Sequence, residues 1–201
     1  MLDRAMRPLI DPPLNRAGRL LADAGISANA VTLGGFAVGL AALPAIATGH
    51  YLAGLALLLV NRLSDGLDGA VARVRGPTDL GGYLDIVCDF IPYSGWAFAF
   101  AVADPANAIP AAFLMLSFMG TGSSFLTYAI FAAKRGVTTE IRGSKSLYYL
   151  GGLTEGTETI LIFVLFCLLP QHFATMAWTF AAACWITTVS RMLAAARSFR
   201  E

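Results

Sequence analysis

Apolar residues run through this 201-residue chain in long unbroken stretches, and charged residues are absent from 24–61, 90–103, 105–133 and 159–190. An α-helix rises about 1.5 Å per residue and crosses a bilayer core with about 20 mostly apolar residues. The hydropathy pattern therefore predicts six spanning helices, at 28–48, 52–74, 80–103, 109–133, 148–169 and 173–196. Ahead of them, 14–24 sets Leu14, Ala17, Leu20 and Leu21 against Arg16, Arg19 and Asp23, the pattern of a short amphipathic helix in the membrane interface. A solvated basic arm is the other reading of that segment. The expected fold is all-α: a polytopic membrane domain over 28–201, preceded by a cytoplasmic arm and interfacial helix over 1–27.

Composition sharpens this picture. Hydrophobic residues make up 57% of the chain and charged residues 13%, where soluble domains carry about 25% charged. A small soluble domain, a disordered chain and a secreted disulfide scaffold are excluded. Asp3, Arg4, Arg7, Asp11 and the pair Pro12-Pro13 break the pattern a cleavable signal needs. The three cysteines, Cys88, Cys167 and Cys184, lie within expected spans without CxxC spacing and read as small apolar residues.

The net charge of +1 hides an asymmetry. The short links after the first, third and fifth spans (Gly49 to Tyr51, Asp104 to Ala108, Pro170 to His172) contain no Lys or Arg. Positive charge stays on the cytoplasmic side, so both termini are expected there, in the inner (plasma) membrane. The bilayer is the expected surrounding, and no nucleic-acid partner is expected.

Acids inside a span are costly unless paired, hydrated or bound to metal, so they mark function. The second span ends NRLSDGLDGAVARVR and the third begins GGYLDIVCDFIPY. Asp65 and Asp68 are three apart and Asp85 and Asp89 four apart, so each pair shares a helix face. A tight link at Gly76-Pro77 makes the two helices antiparallel neighbours and brings all four acids together near the cytoplasmic end. Four like charges need divalent cations, and an oxygen-only ligand set favours Mg²⁺ or Mn²⁺. Magnesium keeps positions for water and phosphate, which suits a diphosphate. Gly69 and Ala72 remove bulk beside Asp68, and Arg73 can pair with phosphate oxygens. Pro92, three residues past Asp89, either bends the helix above the site or is a tolerated kink.

The string from Asp65 to Asp89 resembles the signature of the CDP-alcohol phosphotransferases, D-x-x-D-G-x-x-A-R followed by G-x-x-x-D-x-x-x-D. Asp65, Asp68, Gly69, Ala72, Arg73, Gly81, Asp85 and Asp89 match it. The gap from Val74 to Leu80 is seven residues where the family has eight, a shortening confined to the turn. The resemblance implies a homodimeric enzyme that binds a CDP-linked lipid through its diphosphate. A polar alcohol acceptor then attacks the lipid-side phosphorus and CMP leaves. It makes Asp65, Asp68, Asp85 and Asp89 the metal ligands and Asp89 the candidate general base. Asn29 and Thr32 resemble a polar pair lining the nucleotide pocket, although Asn29 also suits a cap on the first span.

The acceptor side is less specific. Arg135, Arg142, Lys145 and Arg191 can grip an anionic acceptor or serve as positive-inside anchors. Glu155 and Glu158, three apart in the fifth span, either pair with those cations or select a cationic head group. Arg62, three residues before Asp65, either screens the acids or snorkels to the surface. Gly35-x-x-x-Gly39 and Gly120-x-x-x-Ser124 suit helix packing within or between chains. A function of another class, a divalent-cation transporter with the acids as its path, is disfavoured by acids confined to one end and by the absence of a repeat.

Overall fold

The computed structural model describes residues 2–136 and 152–199, with side chains from Pro8 onward. Every regular element among them is helical. The order is α1 (Leu2–Asp23), α2 (Ala28–Ala47), α3 (Tyr51–Arg75), α4 (Asp79–Ala103), α5 (Ala108–Lys134), α6 (Gly156–Leu168) and α7 (Phe173–Ser198). Short 3-10 turns at Pro105–Asn107 and Pro170–His172 lead into α5 and α7.

Helices α2, α3, α4, α5 and α7 begin and end within one or two residues of the expected spans. Two elements differ. Helix α1 runs straight through Pro8, Pro12 and Pro13 instead of starting after the proline pair. The carbonyls that Pro12 and Pro13 leave without a donor belong to Pro8 and Leu9, both exposed, so the missing bonds cost little. Helix α6 is described only from Gly156, and 152–155 is not helical, so the expected fifth span is shorter at its start than 148–169. Residues 137–151 lie outside the described residues.

Four segments are long and apolar enough to cross a membrane: Ala28–Ala47, Asp79–Ala103, Pro105–Lys134 and Pro170–Ser198. Helix α3 has the length, but Arg62, Asp65, Asp68, Arg73 and Arg75 interrupt it, and α6 has only 13 residues. Outward faces carry large apolar side chains such as Leu52, Ile109, Met119 and Met192. Exposed apolar surface on this scale marks a molecule whose solvent is partly lipid.

The inner face is an aromatic core. Trp96, Phe100, Phe163, Phe166 and Phe173 are fully buried. Phe173 stacks on Phe100 at 4.7 Å and meets Phe166 at 4.6 Å, while Trp96 meets Phe163 edge-on at 5.4 Å. Offset and edge-on ring pairs of this kind add about 0.5–1.5 kcal/mol each beyond burial.

Helix α2 organises the site end. It packs along both α3 and α4, which make little backbone contact with each other. The two acid-bearing helices meet through side chains, Arg62 with Asp89 among them, more than through their backbones; α2 is seated against both, and they splay across it. Glycines permit the approach. A Cβ on Gly35 would lie 2.5 Å from Ser64 Cβ, and one on Gly39 would lie 2.8 Å from the Asn61 amide nitrogen. The Gly35/Gly39 pair is thus spent on packing within the chain, as is Gly120, which faces Thr188 and Trp185 of α7.

Candidate active site

The turn between α3 and α4 brings the acids together. Helix α3 stops at Gly76, whose φ of 94° is open to glycine and strained for other residues. Thr78 starts α4 by accepting the Gly81 amide on its side chain at 3.0 Å, with Asp79 in the first turn. Three residues thus reverse the chain, and contacts pair positions symmetric about the turn, Arg62 with Asp89 and with Tyr93. The helices are antiparallel, and only Gly76, Pro77 and Thr78 of the short gap lie outside them.

Across the splay, carboxylate oxygens of Asp65, Asp68 and Asp85 lie within 4.8 Å of one another. With an effective dielectric near 20, two unit charges about 5 Å apart repel by about 3 kcal/mol. A cluster of three therefore calls for a cation, and its all-oxygen donor set fits a hard divalent ion. Asp68 is buried, and Thr32 of α2 donates its hydroxyl to Asp68 Oδ2 at 2.6 Å. Hydrogen bonds of this type fix a ligand's orientation before the metal binds.

Asp89 stands beside Asp65 but pairs with Arg62, Nη1 to Oδ1 at 2.9 Å. The alternative left open by the sequence is decided here: Arg62 points into the acid cluster and does not snorkel. The same Nη1 donates to the Tyr93 hydroxyl at 2.7 Å, and Nε donates to Asn61 Oδ1 at 2.8 Å. Asn61 donates in turn to the Gly35 carbonyl at 2.8 Å. Together Thr32, Gly35, Phe36, Asn61, Arg62, Cys88 and the four acids line a small open cavity.

The remaining motif residues, Gly69, Ala72, Arg73 and Gly81, are not among the residues lining this cavity. Gly69 leaves open the space beside Arg73, whose Nη1 would be 3.5 Å from a Cβ there. Arg73 is exposed and donates twice to Asn15 Oδ1 of α1, at 2.9 and 3.1 Å. Ala72 is half-buried. Asn29 does not cap α2; Ser27 does, accepting from the Ala30 amide at 3.2 Å. The Asn29 side-chain oxygen instead faces Gly81, 3.3 Å from where a Cβ would stand.

The acceptor candidates have mixed fates. Arg135 donates to the Ser198 and Phe199 carbonyls at 3.2 and 3.3 Å and lies over the Phe199 ring, so it satisfies the C-terminus of α7. Glu155 is the N-cap of α6 in a capping box with Glu158, whose Oε2 accepts the Glu155 amide at 3.1 Å. These acids start a helix where the sequence suggested mid-span charges. Arg191 is buried and donates to the Thr121 carbonyl at 3.0 Å, near Gly152 and Thr187. Arg142 and Lys145 lie outside the described residues.

Sequence reasoning missed Asn15, Asn61 and Tyr93. Tyr93 follows Asp89 by four residues and so shares its helix face, and Asn61 precedes Arg62 in an otherwise apolar run; both signals were present. Nothing in the sequence pairs Asn15 with Arg73, because that contact is made between separate helices.

Known proteins resemble this chain in sequence and fold. A family model described as CDP-alcohol phosphatidyltransferase matches residues 26–192. The chain is 53% identical over 193 residues to the inner membrane protein YnjF of Escherichia coli, covering 96% of this chain and 94% of that one. It is 31% identical over 189 residues to the archaetidylinositol phosphate synthase of Pyrococcus horikoshii, covering 93% of each. Among solved structures, the phosphatidylinositol phosphate synthase of Mycobacterium tuberculosis with CDP-DAG bound superposes with a TM-score of 0.70 at 25% identity, over 89% of this chain and 91% of that one. The same enzyme in complex with manganese and citrate gives a TM-score of 0.69, over 89% and 87%. A transferase identity sets aside the ion-path reading of the acids: the chain belongs to the CDP-alcohol phosphatidyltransferase family and is an enzyme of that class.

Proposed function

We propose that this enzyme moves a phosphatidyl or similar substituted phosphate group from a CDP-linked lipid, such as CDP-diacylglycerol, to an alcohol hydroxyl, releasing CMP. The observation that carries this reading is the meeting of Asp65, Asp68 and Asp85 within 4.8 Å, beside Asp89, in a chain of this family. The acceptor oxygen forms a bond to the lipid-side phosphorus as the phosphorus–oxygen bond to CMP breaks. Asp89 takes the acceptor's proton. Asp65, Asp68 and Asp85 would hold Mg²⁺ or Mn²⁺, with Asp89 at the edge of the set and Thr32 orienting Asp68, and such an ion would supply positive charge against the diphosphate and the departing CMP. Gly69, Ala72, Arg73, Asn29 and Gly81 shape and line the nucleotide side, with Arg73 directed by Asn15.

For the acceptor we favour a phosphorylated polyol. Two relatives support that class, the archaetidylinositol phosphate synthase of Pyrococcus horikoshii and a phosphatidylinositol phosphate synthase of Mycobacteroides abscessus. Buried Arg191 is the leading candidate to meet its phosphate, with Arg142 and Lys145 as further cations; Arg135 and Glu155 rank lower because of their helix-end roles. The chain crosses the inner membrane six times, counting α3 and the segment containing α6, with α1 in the interface. Both termini and the site face the cytoplasm, and the protein works as a homodimer.

The test is direct. Purified protein is incubated with CDP-diacylglycerol, Mg²⁺ or Mn²⁺, and a mixture of glycerol phosphate, inositol phosphate, serine, choline and phosphatidylglycerol, and the lipid product is identified by mass spectrometry. Metal-dependent CMP release with one new lipid is expected. No metal-dependent CMP release in any mixture would overturn the reading.

A further inference from the structure

Arg62 and the groups around it lie outside the Asp65–Asp89 motif, yet they are built into the site. The Arg62 side chain is 6% exposed, against 31% for Asp89. Four groups hold its guanidinium. Asn61 accepts from Nε and also from Nη2, Tyr93 accepts from Nη1, and the rings of Tyr93 and Trp96 lie 4.8 and 5.6 Å from its central carbon. Two of these holders are themselves anchored to α2. Asn61 donates to the Gly35 carbonyl and Trp96 Nε1 donates to the Gly39 carbonyl, each at 2.8 Å. With the planar fork fixed on these sides, the second N–H of Nη1 points at Asp89 Oδ1.

We propose that Arg62 is a positioning residue that holds the Asp89 carboxylate at the edge of the acid cluster, turned to receive the acceptor's proton. The role rests on the phosphotransferase reading above. Three carboxylates remain grouped for the cation, while the fourth is tethered by a cation of the protein's own. In this role Arg62 acts through Asp89. Misplacing a reacting group by about 1 Å can cost about 100-fold in rate.

Arg62→Lys keeps the charge but cannot bridge Asn61, Tyr93 and Asp89 with one ammonium. The full chain in detergent is assayed for CMP release with the acceptor found in the mixture experiment, alone and in the Asp89→Asn background. In the otherwise wild-type enzyme, kcat is expected to fall about 30- to 100-fold, with KM for CDP-diacylglycerol and half-saturation by Mn²⁺ changed less than about twofold. In the Asp89→Asn background Arg62→Lys is expected to make no further difference. Equal losses in both backgrounds, or a raised KM with kcat intact, would overturn the proposal.

Should Arg62→Lys fail to fold, Tyr93→Phe removes one holder of the fork while keeping the ring. It should give a smaller kcat loss, about fivefold, with the same dependence on Asp89; a loss independent of Asp89 counts against the proposal. Melting curves separate this idea from the reading it rests on. Arg62→Gln and Asp89→Asn should lower the melting temperature non-additively, and additive shifts would overturn the pairing itself. Coupled melting in a wild-type protein that releases no CMP would overturn the phosphotransferase reading and leave Arg62 a structural partner only.

Discussion

The two ends of the polar inventory are treated differently. At the helix ends of α5–α7, charged side chains complete the fold. Arg135 closes the C-terminus of α7, and Glu155 with Glu158 opens α6. On α2–α4, carboxylates are gathered against their own repulsion, with Asp65, Asp68 and Asp85 inside 4.8 Å. A charge at a helix end stabilises the helix it terminates; charges massed on facing helices oppose folding until a ligand joins them. The contrast teaches where to look for chemistry in a membrane chain: at ionisable groups of like charge gathered against their own repulsion.

Mutations can break this contrast. The largest effect is expected at Asp89, where Asp89→Asn should cut CMP release per folded molecule at least about 1,000-fold, with a fall in melting temperature from unpairing Arg62 that leaves the protein folded. Wild-type turnover in that variant would remove Asp89 from the base role. In the aromatic core the pattern should invert. Phe166→Ala should lower stability by about 3–5 kcal/mol, yet leave the rate per folded molecule unchanged. A rate loss there beyond the folded fraction would mean that core and site are not separable.

Smaller effects sharpen the comparison. Thr32→Val removes the hydroxyl that orients Asp68, and Mn²⁺ affinity, read by titration calorimetry, should weaken about 10- to 100-fold. An unchanged affinity would leave Thr32 to the nucleotide alone. The smallest effect is expected for Arg135→Ala. It should lower stability by less than about 1 kcal/mol and leave the acceptor KM within about twofold. A large rise in acceptor KM would return Arg135 to the acceptor site.

What the sequence made legible follows from which forces are local. The bounds of α2, α4, α5 and α7 were readable because charges, prolines and glycines punctuate long apolar runs at their ends. The acid site was readable because i, i+3 and i, i+4 spacing fixes a helix face wherever the helix is placed. The start of α1 was misread because a proline pair usually ends a helix, and exposure of the freed carbonyls is a tertiary fact. Glu155 was read as a mid-span charge, although an acid followed three residues later by Glu is also the spacing of a capping box. The seat of α2 against both acid-bearing helices, and the turn of Arg62 toward Asp89, depend on packing between helices and leave no trace in one-dimensional spacing.

The glycines of α2 carry a last consequence. Gly35 meets Ser64 and Gly39 meets Asn61 across α3, while Leu43 meets Gly95 across α4, so α2 is wedged between the two acid-bearing helices and lines their cavity with Thr32, Gly35 and Phe36. A methyl group added at Gly35 or Gly39 would have to displace Ser64 or Asn61, the latter a holder of Arg62. Packing and site geometry are thus set by the same two glycines, and Gly35→Ala or Gly39→Ala would be felt in both.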